Sequence, residues 1–370
     1  METLSIGLVS REFPSETYYG GIAEHNWLLA NELANKGHRI EVISTTIKKQ
    51  HSYSINGFKV TRIPEKKDQY YSFIQHANAV RKLLQKRRFD VIEVPEWKAE
   101  AFFLTDCFSI VTRCHSPLFM INRSQPKNRW DTDKLQETLE MIQTKSSIGV
   151  ISPSQSLARD IKKEWGVQSI KVIPSGIKNI DVQPKIIDSK SKTRILYIGR
   201  IEYRKGVLDL AKATKELSKT HDFEIVFIGK DTVYAGVSMI KSIKEINSKA
   251  IIYPSVSREL VYETMQQASF IVIPAHWDNL PLTCMQTMNC EVPAIVSDAG
   301  GLSELIQNKK NGIVFKSMNI ESLKEAIVFA IENPELMRKF ALNAKKDIKN
   351  NYSIEKNTQK TVEFYRSLLK

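Results

Sequence analysis

Short runs of apolar residues alternate with amphipathic stretches along the whole chain. In the first half, the runs that predict strands lie at 6–9, 38–44, 58–63, 91–94, 110–112, 148–152 and 170–173. In the second half, they lie at 194–198, 224–228, 250–253, 270–273, 294–296 and 313–315. Strands that alternate with helices form right-handed βαβ units and parallel sheets. The pattern therefore predicts two α/β domains, each built on a parallel sheet.

A polar segment at 178–192 separates the two series of strands, and its lack of a hydrophobic period is typical of a linker. A chain of 370 residues also exceeds the usual size of a single core. We therefore expect an N-terminal domain over 1–180 and a C-terminal domain over 193–350. Two helices are predicted after Asn333-Pro334, and the apolar face of the second, at 354–370, can cover a neighbouring surface.

Glycines mark the ends of several predicted elements. Gly20 and Gly21 precede a helix, Gly37 ends that helix, and Asn56-Gly57 predicts a hairpin turn. Gly20 and Gly21 also allow a phosphate or an acceptor to approach the backbone at a helix N-terminus. A simple pair of turn glycines is the alternative interpretation.

The composition is that of an ordinary globular protein, with 42% apolar and 26% charged residues. No apolar run is long enough to span a bilayer, and the first residues lack the basic region of a signal peptide. The four cysteines are too scattered for a disulfide framework or a metal clip. These features predict a cytoplasmic protein without a structural metal.

The net charge of +13 is compatible with nucleic acid, an anionic membrane face or an anionic substrate. Neither zinc-ligand spacing nor an RNP-like aromatic pattern accompanies the charge, so we expect no nucleic-acid partner. The basic residues are spread over the chain. They are either solvated faces or the source of a weak peripheral attraction to an anionic inner membrane face.

The stretch 273–304 carries the clearest indication of chemistry. A buried strand ends at Ile273, and a polar loop, a short helix, a second strand and Gly300-Gly301 follow. This order places two loops and two helix N-termini at the carboxyl edge of one sheet, where α/β folds bind ligands and favour phosphate. The stretch therefore indicates a site for a sugar joined to a diphosphate.

This stretch resembles the donor site of retaining glycosyltransferases of family 4, which have the GT-B architecture. The matching positions are Asp278, Pro293, Asp298, Gly300, Gly301 and Glu304. Two positions differ, because Gln286 replaces a Glu and Glu291 replaces a Gly.

The resemblance implies a donor-binding role for several of these residues. Asp278 would contact the sugar hydroxyls, and Gln286 would contact the ribose. The backbone around the helix start would also bind the donor, at Asn279, Leu280, Pro281 and Leu282. Gln286 still offers one acceptor and two donors, but it lacks the charge of a carboxylate.

A second element, Gly199-Arg200 through Lys205-Gly206, is similar to the family's Gly-Arg-x-x-x-x-Lys-Gly. There, Arg200 and Lys205 would hold the donor diphosphate and neutralise the leaving group. A basic surface loop is the alternative. Asp131 and Asp133 have the D-x-D form of a metal site, but they lie in a helix-like region. We therefore expect metal-independent transfer, in which the two cations replace a metal ion.

The first half of the chain contributes weaker candidates. His115 follows the strand at 110–112, where the family places a His near the sugar and diphosphate. A lone His is more often structural, so its position at the strand end decides in favour of function. Glu96 and Trp97 resemble a Pro-Glu-Trp segment of some relatives and would contact the acceptor.

The resemblance implies an α/β protein of GT-B architecture, with two Rossmann-like parallel-sheet domains facing an interdomain cleft. The first domain, completed by helix 354–370, would serve the acceptor, and the second would bind the nucleotide sugar. The expected enzyme is a retaining hexosyltransferase that needs no cofactor and uses a nucleotide-diphosphate sugar, with UDP favoured over GDP. Its acceptor would be a glycan, a lipid-linked sugar or a small molecule. A catalytically silent GT-B binding or regulatory subunit is the alternative, because of Gln286 and Glu291.

Overall fold

The computed structural model describes residues 2–14, 16, 20–65, 72–125, 131–180, 192–255 and 258–370. Contacts among them divide the chain into two compact units. The first contains Met1–Arg123, Asn128–Lys178 and Tyr352–Lys370. The second contains Asn179–Asn351 with the short segment Ser124–Lys127. Most of the polar segment predicted as a linker, at 181–191, lies outside the described residues.

The first unit is built on a sheet of eight strands within the described residues. Its strands are β1 (Ser5–Val9), β2 (Arg39–Thr46), β3 (His51–Ile55), β4 (Phe58–Pro64), β5 (Val91–Pro95), β6 (Ile110–Arg113), β7 (Gly149–Ser152) and β8 (Lys171–Val172). Its helices are α1 (Gly21–Asn35), α2 (Ser72–Leu84), α3 (Leu118–Ser124), α4 (Asp131–Ser146) and α5 (Gln155–Trp165), with the later α13 (Ile354–Leu368).

The sheet order in this unit is β3-β4-β2-β1-β5-β6-β7-β8, and all neighbours are parallel except β3 and β4. Strand order therefore reverses between β1 and β5, and the loops that follow these two strands lie at the reversal. Such a point is where open α/β sheets bind ligands. Gly20 and Glu96 belong to those two loops.

Helix α13 packs against α1 and buries Val362 and Tyr365 in the core formed by β1, β2 and β5. The Tyr365 hydroxyl donates to Glu93 on β5 at 2.6 Å. Glu93 also forms two hydrogen bonds with Arg113 on β6, at 2.8 and 3.0 Å. This buried ionic network holds residues from distant parts of the sequence against one sheet.

The second unit has a parallel sheet in its described part, with the order β13-β10-β9-β14-β15-β16, and a small separate hairpin. Its strands are β9 (Thr193–Ile198), β10 (Phe223–Ile228), β11 (Val233–Tyr234), β12 (Val237–Ser238), β13 (Ile251–Tyr253), β14 (Phe270–Ile273), β15 (Ala294–Ser297) and β16 (Ile313–Phe315). Its helices are α6 (Val207–Leu217), α7 (Met239–Ile246), α8 (Arg258–Gln267), α9 (Leu282–Asn289), α10 (Leu302–Leu305), α11 (Ile320–Glu332) and α12 (Pro334–Asn351).

Strand order in this sheet reverses between β9 and β14, which pair directly. The chain moves outward from β9 through β10 to β13, and from β14 through β15 to β16. The loops 199–206 and 274–281 follow the two central strands, so both lie at the reversal. The structure thus confirms the prediction of two α/β units that are each built on a mainly parallel sheet.

Candidate functional site

Glycines bring the loops at the reversal in the second sheet into close contact. Gly206 has φ +68°, and a Cβ atom there would lie 1.8 Å from the carbonyl oxygen of Pro274. Gly300 has φ +60°, and a Cβ atom there would lie 1.8 Å from the carbonyl oxygen of Asp278. Both positions therefore require glycine, for space as well as for conformation.

A buried ion pair joins these loops. Nζ of Lys205 lies 2.5 Å from Oδ2 of Asp278, and their side chains are only 18% and 11% exposed. The other oxygen of Asp278, Oδ1, accepts the backbone N–H of Asn279 at 3.1 Å. The structure thus brings together two residues that are 73 positions apart in the sequence and were both predicted to serve the site.

Electrostatics keep Asp278 ionised. Burial alone would raise its pKa, but the charges of Lys205 and Arg204 outweigh that effect and hold the pKa below its ordinary value. Burial lowers the pKa of Lys205, and the charge of Asp278 offsets part of this effect. A second anion near Lys205 would favour its charged form further. Each charge of the pair therefore offsets part of the cost of burying the other.

Arg204 connects the two loops, and the sequence motif did not identify it. Its side chain is buried, its Nη1 donates to the carbonyl oxygen of Trp277 at 2.9 Å, and its Nε donates to Glu202 at 2.9 Å. Its own carbonyl oxygen accepts the backbone N–H of His276. The signal in the sequence was the run Glu202-Tyr-Arg204 inside the Gly-Arg-x-x-x-x-Lys-Gly element.

Arg200 differs from Lys205 in its surroundings. Its side chain is 60% exposed, and its Nε lies 3.3 Å from Glu202, which also binds Arg204. The Tyr197 hydroxyl holds the backbone of Arg200 by donating to its carbonyl oxygen at 2.6 Å. Gly199, the preceding residue, has φ +150° and lies beside Gly229, where a Cβ atom would clash with the Gly199 carbonyl oxygen. The Arg200 guanidinium thus remains accessible at the edge of the site.

Helix α9 begins at Leu282, directly after the loop that carries Asp278. Pro281 is its N-cap residue and provides no side-chain cap, while Asn279 and Leu280 are buried. Gln286 lies on the same helix, is partly exposed, and its Nε2 lies 3.5 Å from the Tyr262 hydroxyl. The loop before α9 and that helix therefore contain the predicted donor-binding residues Asn279, Leu280, Pro281, Leu282 and Gln286.

The first unit holds the remaining predicted residues. Gly20 is the N-cap of α1, and Gly21 is the first residue of that helix. His115 follows β6, and its ring contacts that of His25 edge to face, with centroids 5.2 Å apart. Burial, followed by the nearby His25 and Arg113, places the pKa of His115 well below its ordinary value. His115 is therefore a neutral imidazole at physiological pH.

Glu96 and Trp97 follow β5. Glu96 is completely buried, and its carboxylate accepts the backbone N–H groups of His115 and Ser116 at 2.7 and 2.6 Å. Trp97 begins a short 3-10 turn and is partly exposed. Of these two residues, Trp97 thus has the more accessible side chain.

Asp131 and Asp133 lie in the first turn of α4, as the helix-like pattern predicted, and not after a strand. Within the described ranges, no group of three or more His, Cys, Asp or Glu side chains is arranged to hold a metal ion. None of the helices in the described part of the chain is long and apolar enough to cross a membrane.

Comparisons with known proteins identify glycosyltransferases over most of the chain. Residues 179–347 match the family described as glycosyl transferases group 1, and residues 19–179 match glycosyltransferase family 4. An uncharacterized glycosyltransferase of Methanocaldococcus jannaschii is 24% identical over 389 residues, with 98% of each chain covered. An Escherichia coli UDP-Gal:α-D-GlcNAc-diphosphoundecaprenol α-1,3-galactosyltransferase is 22% identical, with 77% of each chain covered.

The solved structures agree on the architecture. Sucrose-phosphate synthase from Thermosynechococcus elongatus superposes with a TM-score of 0.84 at 16% identity, over 98% of both chains. Fold and site define a glycosyltransferase of the GT-B class. The two family matches together span 19–347, and the chain belongs to glycosyltransferase family 4.

Proposed function

We propose that this protein transfers a hexose-type sugar from a nucleoside diphosphate to an acceptor, with retention and without a metal ion. The observation that carries the proposal is the buried Lys205–Asp278 pair at the strand-order reversal of the second sheet. Lys205 and the exposed Arg200 would neutralise the diphosphate as the glycosidic bond breaks. These two cations supply charge of the kind that a metal ion provides in other transferases.

Asp278 would bind the hydroxyl groups of the sugar once Lys205 turns to the phosphate. Its ionised state supports that role, because a carboxylate accepts stronger hydrogen bonds than a neutral group. The neutral imidazole of His115 would bind the sugar without adding positive charge where an oxocarbenium-like centre develops. In this proposal the acceptor hydroxyl attacks the anomeric carbon from the same face that the diphosphate leaves, so the anomeric configuration is retained.

UDP is the proposed nucleotide, and a lipid-linked sugar is the proposed acceptor. Both choices rest on the E. coli relative, whose name contains UDP-Gal and a diphosphoundecaprenol-linked sugar. The net charge of +13 would favour an anionic diphosphate on a lipid acceptor. Binding to an anionic inner membrane face at the cytoplasmic side would follow from the same charge.

The first test measures turnover of a panel of UDP- and GDP-sugars with a membrane lipid extract as the acceptor source, read by mass spectrometry. Arg200→Ala removes an exposed cation, so the fold should be retained while turnover falls about 100-fold or more. Lys205→Ala should lower turnover at least as much, and it also leaves Asp278 buried without its partner. Chelator should leave wild-type turnover unchanged.

Lys212→Ala is the matched control, since Lys212 is exposed on α6 in the same unit. It should keep wild-type turnover. Full activity in both the Arg200 and Lys205 variants would reject the proposed roles. Loss of activity with chelator, restored by magnesium or manganese, would reject metal independence.

A further inference from the structure

The turn after β6, residues 114–117, is held by glutamates from two other elements. Glu96 after β5 accepts the N–H groups of His115 and Ser116, one on each carboxylate oxygen. Glu140 on α4 accepts the N–H of Leu118, the first residue of α3, at 2.9 Å. The backbone on both sides of His115 is thus fixed by side chains that are far away in sequence.

These carboxylates are buried without a cation. Glu96 and Glu140 are both 0% exposed, and among the described residues neither forms a salt bridge with Lys, Arg or His. The amide of Gln136 donates to Glu140 at 2.7 Å. The other hydrogen bonds to the two carboxylates come from backbone N–H groups. Burying a carboxylate in this way costs stability compared with apolar packing. Stability alone therefore does not account for the arrangement.

The segment after β5 has a strained backbone and is held by side chains of the same helix, α4. Lys98 has φ +61° and Ala99 has φ +48°, which residues with side chains rarely adopt. Glu140 accepts the N–H of Lys98 at 3.1 Å, and Gln143 of the same helix accepts the N–H of Ala101 at 2.7 Å. Strained backbone persists only where its surroundings fix it, and such sites are frequent near functional residues.

We propose that Glu96 is a positioning residue for His115, and that Glu140 supports it by fixing the start of α3 and the backbone at Lys98. This inference rests on the proposed function, because it gives His115 a place beside the donor sugar. Glu96 would act through the backbone of His115 and Ser116 rather than through a contact with the acceptor. The complete burial of its carboxylate supports this role.

The proton on Glu96 provides a readout of the arrangement. Glu140 on α4 and Cys114 after β6 are the titratable groups that interact electrostatically with it, and Arg113 on β6 is the charged group that acts on Cys114. Burial raises the pKa of Glu96 to about 7 and that of Glu140 to about 8. A protonated carboxyl group has only one good acceptor oxygen, so it cannot hold both N–H groups equally well.

Activity and stability should therefore respond to pH in opposite directions. Turnover should rise as the pH increases through about 7, because Glu96 then accepts both N–H groups. Folding stability from this residue is present at low pH and is lost as the pH rises through the same range, because the folded-state pKa lies above the ordinary value. If Glu96 only stabilised the fold, turnover would not rise over the pH range in which folding stability falls.

The test compares wild type with Glu96→Gln. In the variant, the amide group faces one of the two N–H donors, so the turn should loosen. We expect turnover of the UDP-sugar selected by the panel to fall about 10- to 100-fold. UDP affinity by calorimetry should stay within about twofold, because Gln286, Arg200 and Lys205, which are predicted to hold the ribose and the diphosphate, lie in the second unit. Amide exchange in a peptide covering 113–118 should accelerate, and the rise of turnover near pH 7 should disappear.

Glu363→Gln is the matched control, since Glu363 is exposed on α13 and bonds only to Gln359 among the described residues. It should leave every readout unchanged. Wild-type turnover and pH profile in Glu96→Gln would overturn the inference, as would a parallel loss of UDP affinity. If Glu96→Gln does not fold, a wild-type turnover profile that is flat between pH 6 and 8 would overturn it.

The proposed function can fail separately. Absence of transfer by wild type with every donor would reject the proposed activity. Amide exchange at 113–118 would still test the positioning of the turn, since it requires no substrate. Accelerated exchange in Glu96→Gln would support the positioning, and unchanged exchange would overturn it.

Discussion

Gln286 is the side chain that we expect to contact the ribose of the nucleotide. The residue lies on α9 with its amide nitrogen 3.5 Å from the Tyr262 hydroxyl, and it stands where the family pattern has Glu. Gln286→Glu should bind UDP equally well or more tightly, because a carboxylate accepts stronger hydrogen bonds from ribose hydroxyls. Gln286→Leu should weaken UDP binding by roughly 1–3 kcal/mol. Calorimetric titration with UDP measures both changes.

Gln267→Leu serves as the control at the exposed end of α8 and should leave UDP affinity unchanged. Equal affinities of the Gln, Glu and Leu forms at position 286 would mean that the ribose is bound elsewhere. The helix itself tolerates all three residues, because Leu, Glu and Gln have similar helix propensity. Any affinity difference is thus a property of the site and not of helix stability.

The sequence patterns that led to candidate site residues were those with a fixed spacing from a strand end. Lys205 and Asp278 were found in this way, and the structure pairs them. Arg204, Glu202 and Glu140 were missed, because their roles depend on contacts between distant loops. A charged residue inside a loop resembles a solvated side chain until the neighbouring loop is known to cover it.

The second difference from the family pattern, Glu291 in place of Gly, lies at the end of α9. Glu291 follows the C-cap residue Cys290 and has φ +57°, a left-handed conformation that glycine adopts most readily. Glu291→Gly should therefore stabilise the protein by about 1 kcal/mol, because the strain at this position is relieved. The greater conformational entropy of glycine in the unfolded chain offsets part of this gain. Chemical denaturation compares the two free energies of unfolding.

The same substitution in regular helix should have the opposite sign. Glu325 is exposed within α11, so Glu325→Gly should destabilise the protein by about 1 kcal/mol. Destabilisation by both variants would show that the conformation at Glu291 carries no strain. The two substitutions share their chemistry and differ only in backbone conformation.

Elements with a strong hydrophobic period were predicted within about two residues, whereas weakly patterned ones were missed. The turn at Asn56-Gly57 was predicted, and it joins β3 to β4. Strand β3 itself was not predicted, because this edge strand is partly exposed and contains His and Ser residues. The hairpin of β11 and β12 was missed for a similar reason, since each strand has only two residues.

The stability of the first unit depends on contacts between residues that are far apart in the sequence. Tyr365 on α13 donates to Glu93, which is paired with Arg113 and buried. Tyr365→Phe should lower the free energy of unfolding by about 1–3 kcal/mol, because a buried carboxylate loses a hydrogen bond. Thermal and chemical unfolding measure the change, and Tyr253→Phe at a half-exposed position is the control.

The tyrosine substitution should leave UDP affinity intact, because Tyr365 belongs to the first unit, whereas Gln286, Arg200 and Lys205 belong to the second. An unchanged unfolding free energy in Tyr365→Phe would show that the network contributes nothing to stability. A matching loss in Tyr253→Phe would show that the effect is not specific to the buried hydroxyl.

The return of the chain to the first unit has a consequence for biosynthesis. Residues up to Lys178 are translated first, yet the first unit also needs Tyr352 and the helix that follows. At typical translation rates of 5–20 residues per second, roughly 10–35 s separate the synthesis of these two parts. During that interval the core surface that later receives Val362 and Tyr365 has no covering helix. The second unit, which is continuous apart from the short segment at 124–127, can complete its fold on the ribosome before the first does.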